Sequence, residues 1–299
     1  MEHTILYGNG LNMLGTKKVS WNNLLIDLSK LSGYELTIGN KPYTMVYEEL
    51  LLGGSLSETD IKNDIISKLK ESIPNEFYKI MRDLNLKNYL TTNYEFNLES
   101  SFREINCSYK NNKLEDIYSI RTCLDVESNN SSKSKVWHLH GDIDRAKSIS
   151  LGLNHYCGTI GKMDGYFKGT YEYTLNGKKV KLDALSKKLR REVQHDGISW
   201  IELFFTTNIH IVGLSLDYSE TDLWWLLNRR ARPLNFNTND IKNEIIYYDT
   251  EINETKASDK KQLLEAFNVK YIHIPVDNGK WDEAYMRIFE MIEHSKISK

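Results

Sequence analysis

The chain alternates short apolar runs with longer stretches of helical periodicity, and this alternation restricts its fold more than any other feature. The runs at 4–7, 89–92, 136–139, 149–151, 209–212, 244–248 and 271–274 are brief, apolar and often β-branched, and they predict strands. Helices are predicted over 21–31, 43–52, 57–69, 75–84, 184–191, 220–231, 260–267 and 281–294. In the last of these, Ala284, Ile288, Phe289 and Ile292 share one stripe. Strands that alternate with helices imply an α/β fold built on a doubly wound parallel sheet.

Two stretches break the alternation. Several helices lie between the first two strands. A polar, Gly- and Lys-containing segment lies between Asn154 and about Asn208. Neither is flanked by a Pro/Ser-rich linker, so both predict insertions, at about 22–85 and 155–207, in a single domain spanning 1–299. The polar run at 129–135 predicts a solvated loop leading into a strand.

At 40% hydrophobic residues the chain has material for a substantial core. Its net charge is −2 with the signs mixed, which argues against steering toward nucleic acid or an anionic membrane. Cys107, Cys123 and Cys157 are too few and too scattered for a disulfide framework or a cysteine zinc knuckle, and they suit a reducing cytosol. There is no bilayer-length apolar run and no signal peptide, so a soluble cytoplasmic protein is expected.

In open parallel sheets, ligands bind beyond the carboxyl ends of the strands. Four strand ends here carry polar or glycine signals. The first is Gly8-Asn9-Gly10, with Asn12 and Gly15 following. Glycines let a backbone approach a diphosphate and offer it N–H groups, though the same residues also make a plain tight turn. Met13 stands where a dehydrogenase fingerprint would have its third glycine. The second is Thr92-Asn93, whose amide can donate to and accept from a ribose or carboxamide, or else form an Asx turn or helix cap.

The third is the run from His138 to Gly141. Strand alternation places His138 and His140 on one face, with His140 at the tip. Histidine takes a proton near neutral pH, which suits acid–base work at His140; His138 reads as a packed core histidine. A metal pair is the competing reading, but no third ligand has convincing spacing, and no metal is expected. The fourth is Gly213-Leu214-Ser215, followed by Ser219 and Asp222, which resemble a capping box with Asp in place of Glu. Trp224 and Trp225 read as core. Arg229, Arg230 and Arg232 form a basic cluster at a helix end, where they complement its dipole; direct nucleic-acid binding is not expected.

Taken in order, these pieces resemble the SIR2-like domain, the branch of the sirtuin superfamily found in bacterial anti-phage systems. The residues that carry the resemblance are GNGLN at 8–12, WNNLL at 21–25, TTNYE at 91–95, HLHGDI at 138–143, SISLG with Tyr156 after it, and the stretch 212–232. The resemblance implies a Rossmann-like sheet without a zinc module, and NAD+ as substrate. With three scattered cysteines the chain departs from sirtuins proper, and the resemblance then implies an NAD glycohydrolase that releases nicotinamide and ADP-ribose. By this resemblance Asn93 orients the ribose and the attacking water, and His140 contacts a ribose hydroxyl or acts as general base. Gly8, Asn9 and Gly10 would cradle the diphosphate, Gly213, Ser215 and Asp249 would hold the adenosine side, and Asn12 and Thr92 would also bind NAD. Glu95 stands where sirtuins proper have Asp. The family also implies NAD depletion in abortive infection, held in check by a sensor or activator protein encoded nearby or by homo-oligomer assembly. A catalytically silent NAD- or ADP-ribose-binding subunit and a zinc-free deacylase are the alternatives.

Overall fold

The structure, a computed structural model, describes residues 1–297 apart from 106, 113–114, 116, 128–132, 176 and 233–240. The chain begins with β1 (His3–Tyr7), then α1 (Trp21–Ser32), α2 (Tyr43–Gly53), α3 (Glu58–Leu69) and α4 (Glu76–Asp83). β2 (Asn88–Thr91), α5 (Asn97–Arg103), β3 (Ser108–Asn112), β4 (Cys123–Glu127) and β5 (Lys133–His138) follow. Next come α6 (Leu153–Lys168), a hairpin of β6 (Glu172–Leu175) and β7 (Lys178–Lys181), α7 (Leu185–Leu189) and α8 (Leu203–Thr206). The last part holds β8 (Asn208–Val212), α9 (Thr221–Ala231), β9 (Ile245–Asp249), α10 (Glu254–Ala266), β10 (Lys270–His273) and α11 (Trp281–Ile297).

The central sheet has eight strands in the order β10-β9-β8-β1-β2-β5-β4-β3. All neighbours from β10 to β5 are parallel. β4 runs antiparallel to both β5 and β3. This is a Rossmann-like α/β sheet flanked by helices. From β1 the chain passes to β2, then to the edge strand β3, comes back through β4 to β5 beside β2, and crosses to the other side of β1 with β8. The switch point therefore falls between β1 and β8, where a crevice opens beyond the strand tips.

Strand alternation divides the core between the two faces. Leu6, Leu90, Trp137 and Ile211 pack on the side covered by α6 to α10. Ile5, Tyr7, Tyr89, Val136 and Val212 pack on the side covered by α4, α5 and α11. A third cluster joins α1, α2 and α3 to Tyr94, Ile149 and Leu151, beyond the strand tips. These helices are locally well specified. Ser20 caps α1 and Gly33 closes it in the left-handed conformation, while Ser57 and Asp60 form a capping box at α3.

Several elements differ from expectation. Residues 149–151 form no strand: a 3-10 turn at Ala146–Ser148 precedes them, and their apolar side chains join the third cluster. The 154–208 segment contains α6, sixteen residues long, whose Gly158, Gly161 and Gly165 depress its helix propensity. Its buried stripe of Tyr156, Thr159, Met163, Tyr166 and Phe167 compensates by packing. The antiparallel β3 and β4 and the short α5 were not anticipated either. The loop expected at 129–135 lies, up to 132, outside the described residues. Among the described residues no helix is long and apolar enough to cross a membrane.

Candidate active site

A cavity of about 640 Å³ occupies the switch-point crevice. Asn9 and Gly10 reach it from the tip of β1, Thr92 and Asn93 from β2, and His140 from beyond β5. Gly213 and Ser215 reach it from β8, and Asp249 from β9. Gly8 and Asn12 do not line it; both act from behind.

The glycine turn works differently from a set of free phosphate donors. The N–H of Gly10 donates to the carbonyl of Gly213 at 2.7 Å, and that of Gly8 donates to Val212 at 3.2 Å. The tips of β1 and β8 are thus laced together. A Cβ on Gly10 would lie 2.6 Å from the Gly213 oxygen and from the Tyr285 hydroxyl, and one on Gly8 would lie 2.9 Å from Leu214 Cα. Both positions need glycine for this close approach, and Gly10 with Gly213 forms part of the cavity wall. Asn9 is committed to the same loop, donating to Val19 O at 2.8 Å.

Asn93 is held by a buried polar network. Its side-chain amide donates to Glu95 Oε1 at 3.0 Å, and Asn12 donates to the same oxygen at 2.7 Å. Asn12 also accepts from Tyr78 at 2.6 Å and from Asn97 at 2.8 Å. The Asn93 backbone N–H is satisfied by Thr91 Oγ1 at 3.0 Å. Asn93 is therefore neither a helix cap nor an Asx turn: Glu95 fixes its NH₂ group and so fixes which way its carbonyl points. Burial raises the Glu95 carboxyl above its ordinary range, and the Asn12 donor opposes that rise.

The two histidines separate, contrary to the expectation that they share a face. β5 ends at His138, and Gly141 follows at φ +93 with its Cα set against the Ser148 backbone. The turn carries His140 to the other side. His138 remains in the core, with Nδ1 at 2.8 Å from Asn93 O and Nε2 at 2.8 Å from Glu99 Oε1. Burial lowers its basicity, but Glu99 outweighs this and leaves it up at about 9.

His140 sits between α6 and α9. Its Nε2 faces Asp222 Oδ2 at 3.0 Å, and its Nδ1 faces Glu220 Oε2 at 3.5 Å. Tyr156 meets the ring edge to face at 5.1 Å and donates to Glu220 Oε2 at 3.3 Å. Burial lowers the pKa of His140, but the two carboxylates outweigh it and hold it up at about 9. Burial raises Glu220; His140 pulls it back, Asp222 and Asp217 raise it again, and it settles at about 7. The expected capping box is not formed. Ser219 donates to Asp217 instead, and Asp222 is turned to His140.

Glu220 and Asp222 are the functional candidates that reading along the chain missed. Their one signal was a pair of acids just past a G-x-S strand end, and helix capping accounted for it equally well. They also supply the third ligand that sequence spacing lacked: His140, Glu220 and Asp222 bring donor atoms within 4.8 Å of one another, close enough for a metal ion. Each ring nitrogen of His140 also faces a carboxylate, Nε2 hydrogen-bonded to Asp222 and Nδ1 at ion-pair distance from Glu220.

At the far end of the cavity Asp249 accepts from Tyr271 and, at 3.0 Å, from the Glu251 N–H. Lys260 lies beside it and donates to Ser215 O. Two of the three arginines of the cluster are packed into the fold. Arg230 is buried and donates to Phe204 O at 3.1 Å and Asn243 O at 2.6 Å, while Arg229 lies over the Phe167 and Trp225 rings.

Fold and cavity together define a cleft of about 640 Å³ at the switch point of a Rossmann-like sheet. Residues 87–182 match the family model of the SIR2-like domain. The match runs from β2 to β7 and includes Asn93 and His140. It supports a place in the SIR2-like superfamily and fits NAD-related function in general. No curated protein matches the sequence.

Proposed function

We propose that the protein is an NAD glycohydrolase that cleaves NAD+ to nicotinamide and ADP-ribose. One observation carries the reading. Asn93 and the carboxylate-flanked His140 face the same cavity, whose wall includes the Gly10–Gly213 contact and whose far end holds Asp249. A dinucleotide would lie with its diphosphate near the laced glycines and its nicotinamide ribose near Asn93 and His140.

The chemistry suits these groups. The glycosidic carbon passes through an oxocarbenium-like state as neutral nicotinamide departs with the bond electrons. A charged His140 between two carboxylates carries a net negative charge when all three are ionised, which favours a developing cation. The carbonyl of Asn93, aimed by Glu95, would accept from a ribose hydroxyl or the attacking water. In the cell such an activity would deplete NAD during phage infection, under the control of a separate activator protein or of self-assembly.

The test is to incubate the full chain with NAD and follow nicotinamide and ADP-ribose by chromatography. Asn93→Ala and His140→Ala should each lose turnover by at least about 100-fold. Undiminished release in either variant would remove that residue from the reaction.

A further inference from the structure

The triad raises a question that the hydrolase reading leaves open: which group removes the proton from the attacking water. A base needs a free lone pair that water can reach. His140 offers neither. One ring nitrogen faces Asp222, the other faces Glu220, and its side chain is 3% exposed. Asp222 is fully buried and uses Oδ2 on His140 and Oδ1 on the Leu223 N–H at 2.8 Å.

Glu220 differs from both. Its side chain is 17% exposed and lines the cavity. Tyr156 and His140 both approach Oε2, and among the described residues Oε1 has no hydrogen-bond partner. It sits at the N-cap of α9, so its backbone is fixed while one oxygen remains open to the cavity.

We propose that Glu220, rather than His140, takes the proton of the attacking water, with Asp222 holding His140 as the fixed cation beside it. This rests on the hydrolase reading and refines it. The water oxygen bonds to the ribose C1′ as the C1′–N bond breaks. The bonding pair goes to the nicotinamide ring nitrogen, the water proton goes to Glu220 Oε1, and Glu220 later returns it to solvent. Asp222 is a positioning residue. The charged and titratable groups around Glu220 are His140 after β5, Asp222 in α9, Asp217 in the preceding loop, Tyr156 from α6 and Tyr94 after β2. Burial raises its proton affinity, and His140, Asp222, Asp217 and Tyr156 then adjust it to near neutrality, where a base both ionises and accepts.

The experiment compares wild type, Glu220→Ala and the near-isosteric Glu220→Gln, all as the full chain. It follows nicotinamide release, NAD affinity by titration calorimetry, and the effect of azide. Both variants should bind NAD but release nicotinamide about 100-fold more slowly. Azide has no proton to lose, so it bypasses the base. It should speed release in Glu220→Ala about tenfold or more and form a C1′ azide adduct, while leaving wild type unchanged. The wild-type rate should fall as pH drops below about 7, and the Glu220→Gln rate should not. Three outcomes would overturn the role of Glu220 alone: wild-type turnover in Glu220→Gln, no azide effect in an NAD-binding Glu220→Ala, or an unchanged acid limb in Glu220→Gln. A wild type that binds NAD but never releases nicotinamide overturns the hydrolase reading, and this role with it.

Discussion

Replacing Gly10 by alanine tests whether the β1 turn is a steric lace or a loose phosphate loop. The added methyl would lie 2.6 Å from both Gly213 O and the Tyr285 hydroxyl, and 2.8 Å from Gly213 Cα. Two of these atoms are backbone, so they yield only if the β1 and β8 tips part. Parting them strains the 2.7 Å bond from Gly10 N–H to Gly213 O. Overpacking of this kind costs about 1–3 kcal/mol. A weakened hydrogen bond adds about 1 kcal/mol. The sum, roughly 2–4 kcal/mol, corresponds to a fall in Tm of roughly 3–6 °C for a chain of this size. NAD affinity should fall too, because the same contact walls the cavity. Thermal unfolding and titration calorimetry would measure both, with Gly161→Ala as the control. Gly161 has nothing within 4 Å of an added Cβ and lies inside α6, so alanine there should stabilise by about 0.5–1 kcal/mol. Tyr285→Phe should rescue little of the Gly10→Ala loss, since the Gly213 backbone remains. A Gly10→Ala protein with unchanged Tm and unchanged NAD affinity would refute the reasoning.

Three other outcomes follow from the same geometry. His138 and His140 are both held at about 9, above their value in an unfolded chain, so the stability they contribute is full below about pH 6.5 and is lost as pH rises toward 9. Denaturant titration should show that fall, and Asp222→Asn should reduce the His140 share of it, leaving the part due to Glu220 and the share due to Glu99 and His138. Glu95→Ala should free the Asn93 amide and lower kcat about 10- to 100-fold while changing KM little; an equal loss in KM would assign Glu95 to substrate binding instead. Arg230→Ala should cost about 2–4 kcal/mol by stripping donors from buried carbonyls, read from urea unfolding, and a neutral result would contradict its structural role.

The framework of the fold was legible because its signals are local. A buried parallel strand is a short apolar run wherever it stands, and six of the seven expected strands form. The seventh, at 149–151, has the same composition but lies behind a 3-10 turn and covers the third core cluster. α6 was obscured for the opposite reason: its three glycines weaken the local signal, and the packing that compensates is long-range. The antiparallel β3–β4 edge also depends on pairing with β5, which no run of residues encodes by itself.

The same division holds within the site. The sequence by itself determined where the chain would present chemistry: Gly10, Asn93, His140, Gly213 and Asp249 all lie at or just after strand tips, and a parallel sheet gathers its strand tips along one edge. Only the tertiary structure decided which contacts those residues make. It spent the Gly10 N–H on Gly213, turned His140 away from His138 at Gly141, and set Asp222 against an imidazole 82 positions earlier in the chain. Hydrophobic period and turn chemistry act between neighbours and can be read along the chain. The state of a buried ionisable group depends on the charges around it in space, and the fold alone brings those together.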